Sequence, residues 1–133
     1  MSTTAQAVEQ FLAKIDQTKD LNIFLEVWAD EARAQAVQVD EKIAAGTAGS
    51  LAGMVIALKD NICYRGHKVS AASRILDGFE SQFSATAVER LLAADAVFIG
   101  RTNCDEFAMG SGNENSAFGP TKNPHDPTKV PGG

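Results

Sequence analysis

The stretch that decides the fold runs from Gly53 to Asn61 and reads Gly-Met-Val-Ile-Ala-Leu-Lys-Asp-Asn. Its five apolar residues, Met54 to Leu58, are too few for a stable helix and predict a strand covered on both faces. Lys59 follows directly, at the carboxyl end of that strand, where the ligand sites of open α/β sheets form. A desolvated lysine at such a place can release its proton near neutral pH and act as a base.

A second interpretation of Lys59 stays open, and the position of this lysine, taken alone, favours it. Many strands end in a lysine whose aliphatic stem packs while its ammonium group remains in water. The next residue, Asp60, supports this view, because a carboxylate paired with Lys59 would keep the lysine protonated.

Two helices are predicted before this strand. Residues 4–17 and 29–45 each carry apolar residues at helical spacing, so one face of each helix should pack against a core. Thr3 and Gln6 predict a capping box ahead of the first helix. Gly46 predicts the end of the second helix.

Further elements are predicted on either side of the lysine strand. Leu21 to Trp28 is rich in β-branched and aromatic types, which predicts a short strand or an extended arm. Asn61 to Ser84 lacks periodicity and predicts a long irregular stretch. Thr86 and Glu89 predict a capping box that opens a third helix. Ala96 to Gly100 predicts a second apolar strand.

The order of strand, crossover, helix and strand indicates two parallel strands with a right-handed connection. Parallel strands have their carboxyl ends at the same edge of a sheet. Lys59 and the segment after Gly100 are therefore expected to face a common cleft.

The segment after Gly100 has two parts. Asn103 and Glu106 predict a capping box for a short helix from Cys104 to Met109, ended by Gly110. Gly110 to Pro120 is dense in glycine, amide and hydroxyl groups, which lets backbone amides approach a ligand closely. A plain surface loop is the alternative, and composition alone favours it.

The charge balance argues against direct nucleic-acid binding. The 133 residues carry 17 acidic and 12 basic side chains, a net charge of −5, and the basic residues form no cluster. No stretch approaches the ~20 apolar residues of a membrane span, and the N-terminus has no signal-peptide pattern. These features predict a cytoplasmic protein with no membrane contact.

The cysteines and histidines do not predict a metal site. Cys63 and Cys104 have no cysteine or histidine at zinc-ligand spacing and are expected to be free thiols that are buried or half-buried. His67 and His125 lie in segments that contain glycine or proline, and both are expected at the surface.

Four strings in this chain resemble the amidase signature family: Ala57–Asn61, Gly100–Gly110, Asn115–Pro124 and Val130–Gly133. The resemblance covers roughly residues 5–133. It implies an α/β enzyme with a mixed β-sheet flanked by helices.

The resemblance also implies how the chain divides. Residues 1–133 would be the N-terminal portion of a single domain. Residues 1–46 would form its helical N-terminal region, and residues 53–133 would form the start of its core sheet.

By this resemblance Lys59 is the lysine of a Ser–cis-Ser–Lys triad and the base that initiates attack on a carboxamide. Met109, Gly110 and Ser111 are implied as substrate-pocket residues, and no metal ligand is implied. In the family the bridging serine comes directly after Pro-Gly-Gly and the nucleophile follows later, so both serines are missing from a chain that stops at Gly133.

Two strings, Asp105–Gly110 and Glu114–Gly119, are more similar to the glutaminase subunits of tRNA-dependent amidotransferases. That resemblance implies hydrolysis of glutamine to supply ammonia for converting Glu-tRNA(Gln) to Gln-tRNA(Gln). It implies a heterotrimer with subunits B and C. No cofactor belongs to this chain, because a partner subunit would hold the tRNA and use ATP and Mg²⁺.

Two other interpretations stay open. The chain could belong to a hydrolase of the same family that acts on a different carboxamide without tRNA. It could instead be a truncated, non-catalytic module that binds a partner. In every case, the predicted strands at 54–58 and 96–100 need cover on both faces, and layers that would supply it are missing. The 133 residues alone should therefore expose apolar surface or self-associate.

The 133 residues alone are expected to release no ammonia from glutamine, because Lys59 is the only implied triad member among them. Losing one oxyanion-hole donor already lowers the rate by ~10²–10³, and here the nucleophile would be absent as well. An ammonia assay on the purified chain tests this expectation. Turnover above the no-protein blank would contradict it.

Overall fold

A three-stranded mixed sheet carries the fold in the computed structural model, which describes residues 3–133. The helices and strands in chain order are α1 (Thr4–Gln17), β1 (Phe24–Val27), α2 (Ala29–Ala45), β2 (Val55–Lys59), α3 (Thr86–Ala93) and β3 (Val97–Thr102). Short 3₁₀ turns cover Lys19–Leu21, Arg74–Leu76 and Glu106–Ala108. These bounds confirm the helices and strands that sequence periodicity predicts before Thr102.

The central strand is β3, and it pairs with a strand on each side. It runs antiparallel to β1 and parallel to β2, in the order β1-β3-β2. In the parallel pair Lys59 lies opposite Thr102, so the two strands end together. The predicted parallel pair and the predicted mixed sheet are both confirmed.

Helices cover both faces of this sheet. On one face α1 and α2 pack against β3 through a buried cluster of Val8, Ala32, Ala36, Val39, Val97 and Ile99. On the other face α3 packs against β2 and β3 through Trp28, Leu58, Val88 and Phe98. The sheet is thus the middle layer of an α/β/α arrangement, as expected.

The prediction that Met54 to Leu58 is covered on both faces is wrong. Leu58 is buried, but Ala57 is exposed and Met54 is 49% exposed. The reason is topological, because β2 is an edge strand of the described sheet and a short apolar run does not distinguish an edge from a centre. The strand that is covered on both faces is the central strand β3, which is buried from Val97 to Arg101.

The expected exposed apolar surface is present beside β2. A hollow of about 310 Å³ opens over the sheet between α1 and β2. Its wall is almost entirely apolar and includes Phe11, Ile15, Phe24, Val55, Ala57 and Ile99. Among residues 3–133, no helix is both long enough and apolar enough to span a bilayer.

The predicted capping box of α1 is confirmed. The Gln6 amide donates to Thr3 Oγ1 at 3.2 Å, and the Thr3 amide donates to Gln6 Oε1 at 3.1 Å. Gly46 ends α2 with φ +71, a left-handed conformation that glycine adopts without strain.

The capping box predicted for Thr86 and Glu89 is wrong. The helix α3 begins at Thr86 itself, and its N-cap is Ala85, which offers no side-chain cap. The Ala85 amide donates instead to the Cys63 carbonyl at 2.9 Å. That contact holds the residue before the helix in extended backbone and shifts the helix start by one position.

The helix predicted from Cys104 to Met109 is also wrong. The structure has a single 3₁₀ turn at Glu106–Ala108, with Phe107 and Ala108 in left-handed backbone at φ +52 and +57. A continuous α-helix cannot contain such residues.

Tertiary contacts explain this difference. Asn103 Oδ1 accepts from the Cys104 amide at 3.0 Å and from Ser116 Oγ at 2.6 Å. The Glu106 carboxylate accepts from Ser73 Oγ at 2.5 Å. The two side chains that would close a capping box are therefore bonded to distant loops.

The thiol predictions are confirmed, since Cys63 is half-buried and Cys104 is buried, and both are free.

His125 is exposed as predicted. His67 is half-buried, so the prediction that it lies at the surface is wrong. Its Nε2 lies 2.7 Å from Glu31 Oε2, and its ring stacks on Tyr64 with centroids 4.0 Å apart. These contacts fasten the irregular stretch after β2 to α2.

Gly100 is required where β1 pairs with β3. A Cβ atom at this position would overlap the carbonyl oxygen of Glu26 and lie 3.1 Å from Val27 Cα. Gly100→Ala should lower the free energy of unfolding by at least about 2 kcal/mol, within the range for overpacked sites, because backbone atoms cannot move aside.

Urea denaturation measures this loss. Gly112→Ala is the matched control, since its Cβ would meet only the flexible Glu114 side chain at 3.3 Å or beyond. The control should change stability by no more than about 0.5 kcal/mol. Equal stability of the two variants would contradict the proposed contact between β1 and β3.

Candidate active site

Lys59 lies in the wall of a cleft at the carboxyl ends of β2 and β3. The cleft has a volume of about 390 Å³, and its wall also includes Thr102, Asn113, Thr121 and Gly133. The prediction that Lys59 and the segment after Gly100 share a cleft is confirmed.

Lys59 has no ionic partner in the cleft. The residue is half-buried, and its amino group makes no hydrogen bond or salt bridge with any residue from 3 to 133. Asp60, its neighbour in sequence, is 1% exposed and pairs with Arg101. The expectation that Asp60 could hold Lys59 protonated through an ion pair is therefore wrong.

Strand alternation explains why these adjacent residues stay apart. Successive residues of a strand point to opposite faces of the sheet. Lys59 and its register partner Thr102 face the cleft, whereas Asp60 and Arg101 meet on the other side.

Arg101 connects all three strand segments. It belongs to β3, its Nη1 donates to Asp60 just beyond β2, and its Nε donates to Glu26 Oε2 of β1 at 3.0 Å. Arg101 is only 8% exposed, so its guanidinium group is neutralised by these carboxylates largely out of water.

The Asp60 carboxylate also fixes the buried turn that follows. It accepts from Ser70 Oγ at 2.5 Å, from the Ser70 amide at 3.1 Å and from the Ala72 amide at 2.8 Å. Ala71 and Ala72 both have left-handed backbone, at φ +48 and +51. Such strain persists only where the surroundings determine the backbone, and this carboxylate supplies that constraint.

The same turn holds the glycine-rich segment. The Phe107 amide donates to the Ala71 carbonyl at 2.8 Å, and the Ala117 amide donates to the Ala72 carbonyl at 2.9 Å. A chain of contacts therefore runs from the end of the lysine strand to both parts of the segment after Gly100.

The loop from Gly110 to Pro120 is built around a buried carboxylate. Asp105 is 1% exposed and accepts from the Asn113 amide at 2.9 Å and from the Asn115 amide at 3.3 Å. A side chain at position 110 would overlap the Asp105 carboxyl group, so glycine is required there. These contacts distinguish the loop from a plain surface loop.

Of the predicted pocket residues, Met109 is 79% exposed, and Gly110 and Ser111 are exposed. They do not line the cleft directly. Gly133 does line it, and the Gly133 backbone packs against Gly110 and Ser111. Substrate binding by Met109, Gly110 and Ser111 stays a prediction.

Sequence reasoning missed Thr102 and Asn113. Thr102 lies two residues beyond the predicted end of the second strand, and extending that strand would have aligned it with Lys59. Asn113 is 2% exposed within a loop of polar composition, and no sequence pattern signals its burial.

Cys104 is poorly suited to act as a nucleophile near Lys59. Burial raises the pKa of its thiol, and the nearby charges of Asp60 and Asp105 raise it further, against an opposing effect of Lys59. The reactive thiolate form is therefore disfavoured at neutral pH.

Away from the cleft, residues 3–133 contain no metal-binding cluster, and the charged side chains of two further depressions are paired. No group of three or more His, Cys, Asp or Glu side chains among the described residues is placed to hold a metal ion. Depressions of about 440 and 710 Å³ lie along α1 and α2. Arg33 lines both depressions and is bonded to Glu9 and Asp30, and Lys19 in the smaller one pairs with Asp16.

Comparison with known proteins identifies the family. The family model described as Amidase matches residues 6–133. The chain belongs to the amidase family. The motif resemblance to that family is confirmed.

Relatives in the family are identical to this chain at about half of the aligned residues. The A subunit of glutamyl-tRNA(Gln) amidotransferase from Chlorobaculum tepidum is 54% identical over 132 residues, which cover 98% of this chain and 27% of that protein. The protein of the same name from Bordetella petrii is 57% identical over 114 residues, 86% of this chain and 22% of that protein. The chain therefore spans about a quarter of the length of these relatives.

Solved amidase structures share the fold. A peptide amidase from Stenotrophomonas maltophilia has a TM-score of 0.80 and 36% identity over 98% of this chain and 28% of that chain. The A subunit of glutamyl-tRNA(Gln) amidotransferase from Thermotoga maritima has a TM-score of 0.76 and 34% identity over 98% of this chain and 26% of that chain.

The buried Asp60–Arg101 pair generates a stability prediction. Asp60→Asn leaves a largely buried guanidinium without its main counter-charge and should cost about 3–5 kcal/mol of unfolding free energy. Glu26→Gln is the control, because the Glu26 side chain is 37% exposed and its pairing should contribute no more than about 1 kcal/mol. Chemical denaturation compares the two variants, and equal losses would refute the central role of Asp60.

Proposed function

We propose that this chain is the lysine-bearing part of a glutaminase subunit in a tRNA-dependent amidotransferase. The observation that carries the proposal is Lys59, a half-buried amine in a strand-end cleft with no carboxylate paired to it. The membership of the chain in the amidase family and the names of its relatives support the same conclusion.

In the proposed reaction Lys59 acts as the initiating base. It takes a proton from a bridging serine, which in turn takes the proton of the nucleophilic serine. The nucleophile attacks the carboxamide carbon of glutamine, and the carbon–nitrogen bond breaks as the nitrogen receives a proton and leaves as ammonia. Water then hydrolyses the acyl-enzyme to release glutamate.

The lining of the cleft supports this proposal. Gly132 and Gly133 line it together with Lys59. A residue joined to Gly133 has its Cα about 3.8 Å from the Gly133 Cα, so its side chain would begin at the wall of the cleft that Lys59 also lines. The family resemblance assigns the bridging serine to that position.

The proposed partners follow from the same relatives. Their name describes the first of several lettered subunits, so we propose a heterotrimer in which subunits B and C bind this chain. A partner would hold the tRNA and use ATP and Mg²⁺, in keeping with the net charge of −5 and the scattered basic residues of this chain. We place this assembly in the cytoplasm.

A second candidate function is hydrolysis of another carboxamide without tRNA. The peptide amidase structure supports it, because its 36% identity to this chain exceeds the 34% of the amidotransferase structure over the same 98% of the chain. Assays with glutamine and with a C-terminally amidated peptide separate the two candidates. Copurification with two further subunits would favour the first.

Replacing the proposed base tests the mechanism. In the full-length enzyme that carries this segment, Lys59→Met keeps most of the side-chain volume but removes the amine. It should lower kcat for ammonia release by about 10²–10⁴-fold, the contribution of a general base. Coupled measurement of ammonia and glutamate follows the loss.

Lys68→Met is the matched control, since Lys68 is exposed on the irregular stretch after β2. It should leave kcat unchanged. If Lys59→Met kept more than a tenth of the wild-type rate, Lys59 would not be the base.

A further inference from the structure

Asn22 joins the turn before β1 to a distant part of the chain. Its side-chain amide donates to three successive carbonyls, those of Phe118 at 2.9 Å, Gly119 at 3.2 Å and Pro120 at 3.2 Å. The backbone of Asn22 is left-handed at φ +55, a conformation that asparagine tolerates better than most residues. The end of the glycine-rich loop is therefore fixed by a side chain from the N-terminal part of the chain.

The backbone of the same turn holds the residues that follow this loop. The Asn22 carbonyl accepts from Thr121 Oγ1 at 2.8 Å. The Leu21 carbonyl accepts from the Lys122 amide at 2.9 Å. The turn thus bonds to every residue from 118 to 122, through its side chain or its backbone.

Asn103, directly after β3, bonds to the same two segments. Its backbone amide donates to the Ile23 carbonyl at 2.8 Å. Its Nδ2 donates to the Gly119 carbonyl at 2.8 Å and to Thr121 Oγ1 at 3.2 Å. The turn before β1, the end of β3 and residues 118–122 are therefore held together by one set of hydrogen bonds.

These hydrogen bonds fix part of the wall of the cleft. Ile23, Asn103 and Thr121 line the cleft together with Lys59. Asn103 follows Thr102, which lies opposite Lys59 in the parallel pair of strands. The position of Thr121 relative to the lysine strand is thus determined by the strand pairing and by the bonds around Asn22.

Asn22 itself is not placed to bind a substrate. It is half-buried, and it does not belong to the lining of the cleft. An asparagine amide has two N–H donors, and those of Asn22 are already shared among three carbonyls. Any effect of Asn22 on the reaction must therefore pass through the residues that it holds.

We infer that Asn22 is a positioning residue, which fixes the part of the cleft wall formed by Thr121 relative to Lys59. The inference rests on the proposed function, since it assumes that a carboxamide is attacked in this cleft. A displacement of about 1 Å caused by a remote change can lower the rate of a reaction by about 10²-fold, because the reacting atoms lose their alignment. Loss of the Asn22 side chain should therefore slow turnover in an enzyme that remains folded.

Two substitutions of Asn22 test this role. Asn22→Gly keeps the left-handed backbone without strain and removes the side-chain hydrogen bonds. Asn22→Asp keeps the size of the side chain but replaces both donors by an oxygen that faces the three carbonyls. Asp20→Gly is the matched control, because it adds a glycine to the same turn in place of an exposed side chain.

The experiment is steady-state kinetics of the full-length enzyme with glutamine, well below its melting temperature, with each rate divided by the folded fraction from circular dichroism. Both Asn22 variants should lower kcat at least about fivefold and change KM less than about threefold, while Asp20→Gly matches the wild type. A purely structural role would lower the melting temperature and leave kcat per folded molecule unchanged. That result would overturn the inference.

Three further outcomes would also overturn it. A rise in KM larger than the fall in kcat would show that Asn22 affects binding of the substrate and not its orientation. A loss of kcat in Asn22→Asp alone would be an effect of the added charge, and an equal loss in Asp20→Gly would be an effect of flexibility in the turn. If Asn22→Gly does not fold, Asn22→Ala removes the same donors without a charge and is judged by the same criteria.

The outcome for the proposed function is separate. If the wild-type enzyme hydrolyses an amidated peptide in place of glutamine, the proposed substrate fails, and the same variants are assayed with that peptide. If Lys59→Met retains activity, the proposed base fails, whereas a loss of kcat in Asn22→Gly would still show that Asn22 positions the wall of the cleft.

Discussion

The buried ion pair between Asp60 and Arg101 is the interaction on which the rest of the structure depends. Burying two charges is costly unless their geometry is good and their remaining hydrogen-bonding capacity is used. Here Glu26 takes the second edge of the guanidinium group, and Ser70 and Ala72 donate to the carboxylate. The pair therefore fastens β1, the end of β2 and the following turn to the central strand.

This pair also keeps the Asp60 carboxylate away from the cleft. Lys59 and Asp60 are neighbours in sequence, yet the alternation of the strand directs them to opposite faces. Arg101 neutralises the carboxylate on its own face. The lysine is left in the cleft with no carboxylate among residues 3–133 paired to it.

Sequence patterns predict a helix or strand correctly where the pattern lies within that element. They fail where contacts with distant residues determine the backbone conformation. Apolar periodicity locates α1, α2 and β3, and topology alone brings Lys59 to the cleft. The predicted helix after Asn103 fails because Asn103 and Glu106 fit a capping pattern but bond to Ser116 and Ser73. The burial of Asn113 depends on Asp105, and composition cannot show that a polar loop closes over a carboxylate.

Two carboxylates, those of Asp60 and Asp105, are buried near the cleft. Each is saturated by groups of the protein itself, Asp60 by Arg101 and the turn at Ser70, and Asp105 by amides of the glycine-rich loop. Their negative charges hold backbone in place and do not pair with Lys59. The amine of Lys59 makes no hydrogen bond or salt bridge with any residue from 3 to 133, so it stays open to a group that enters the cleft.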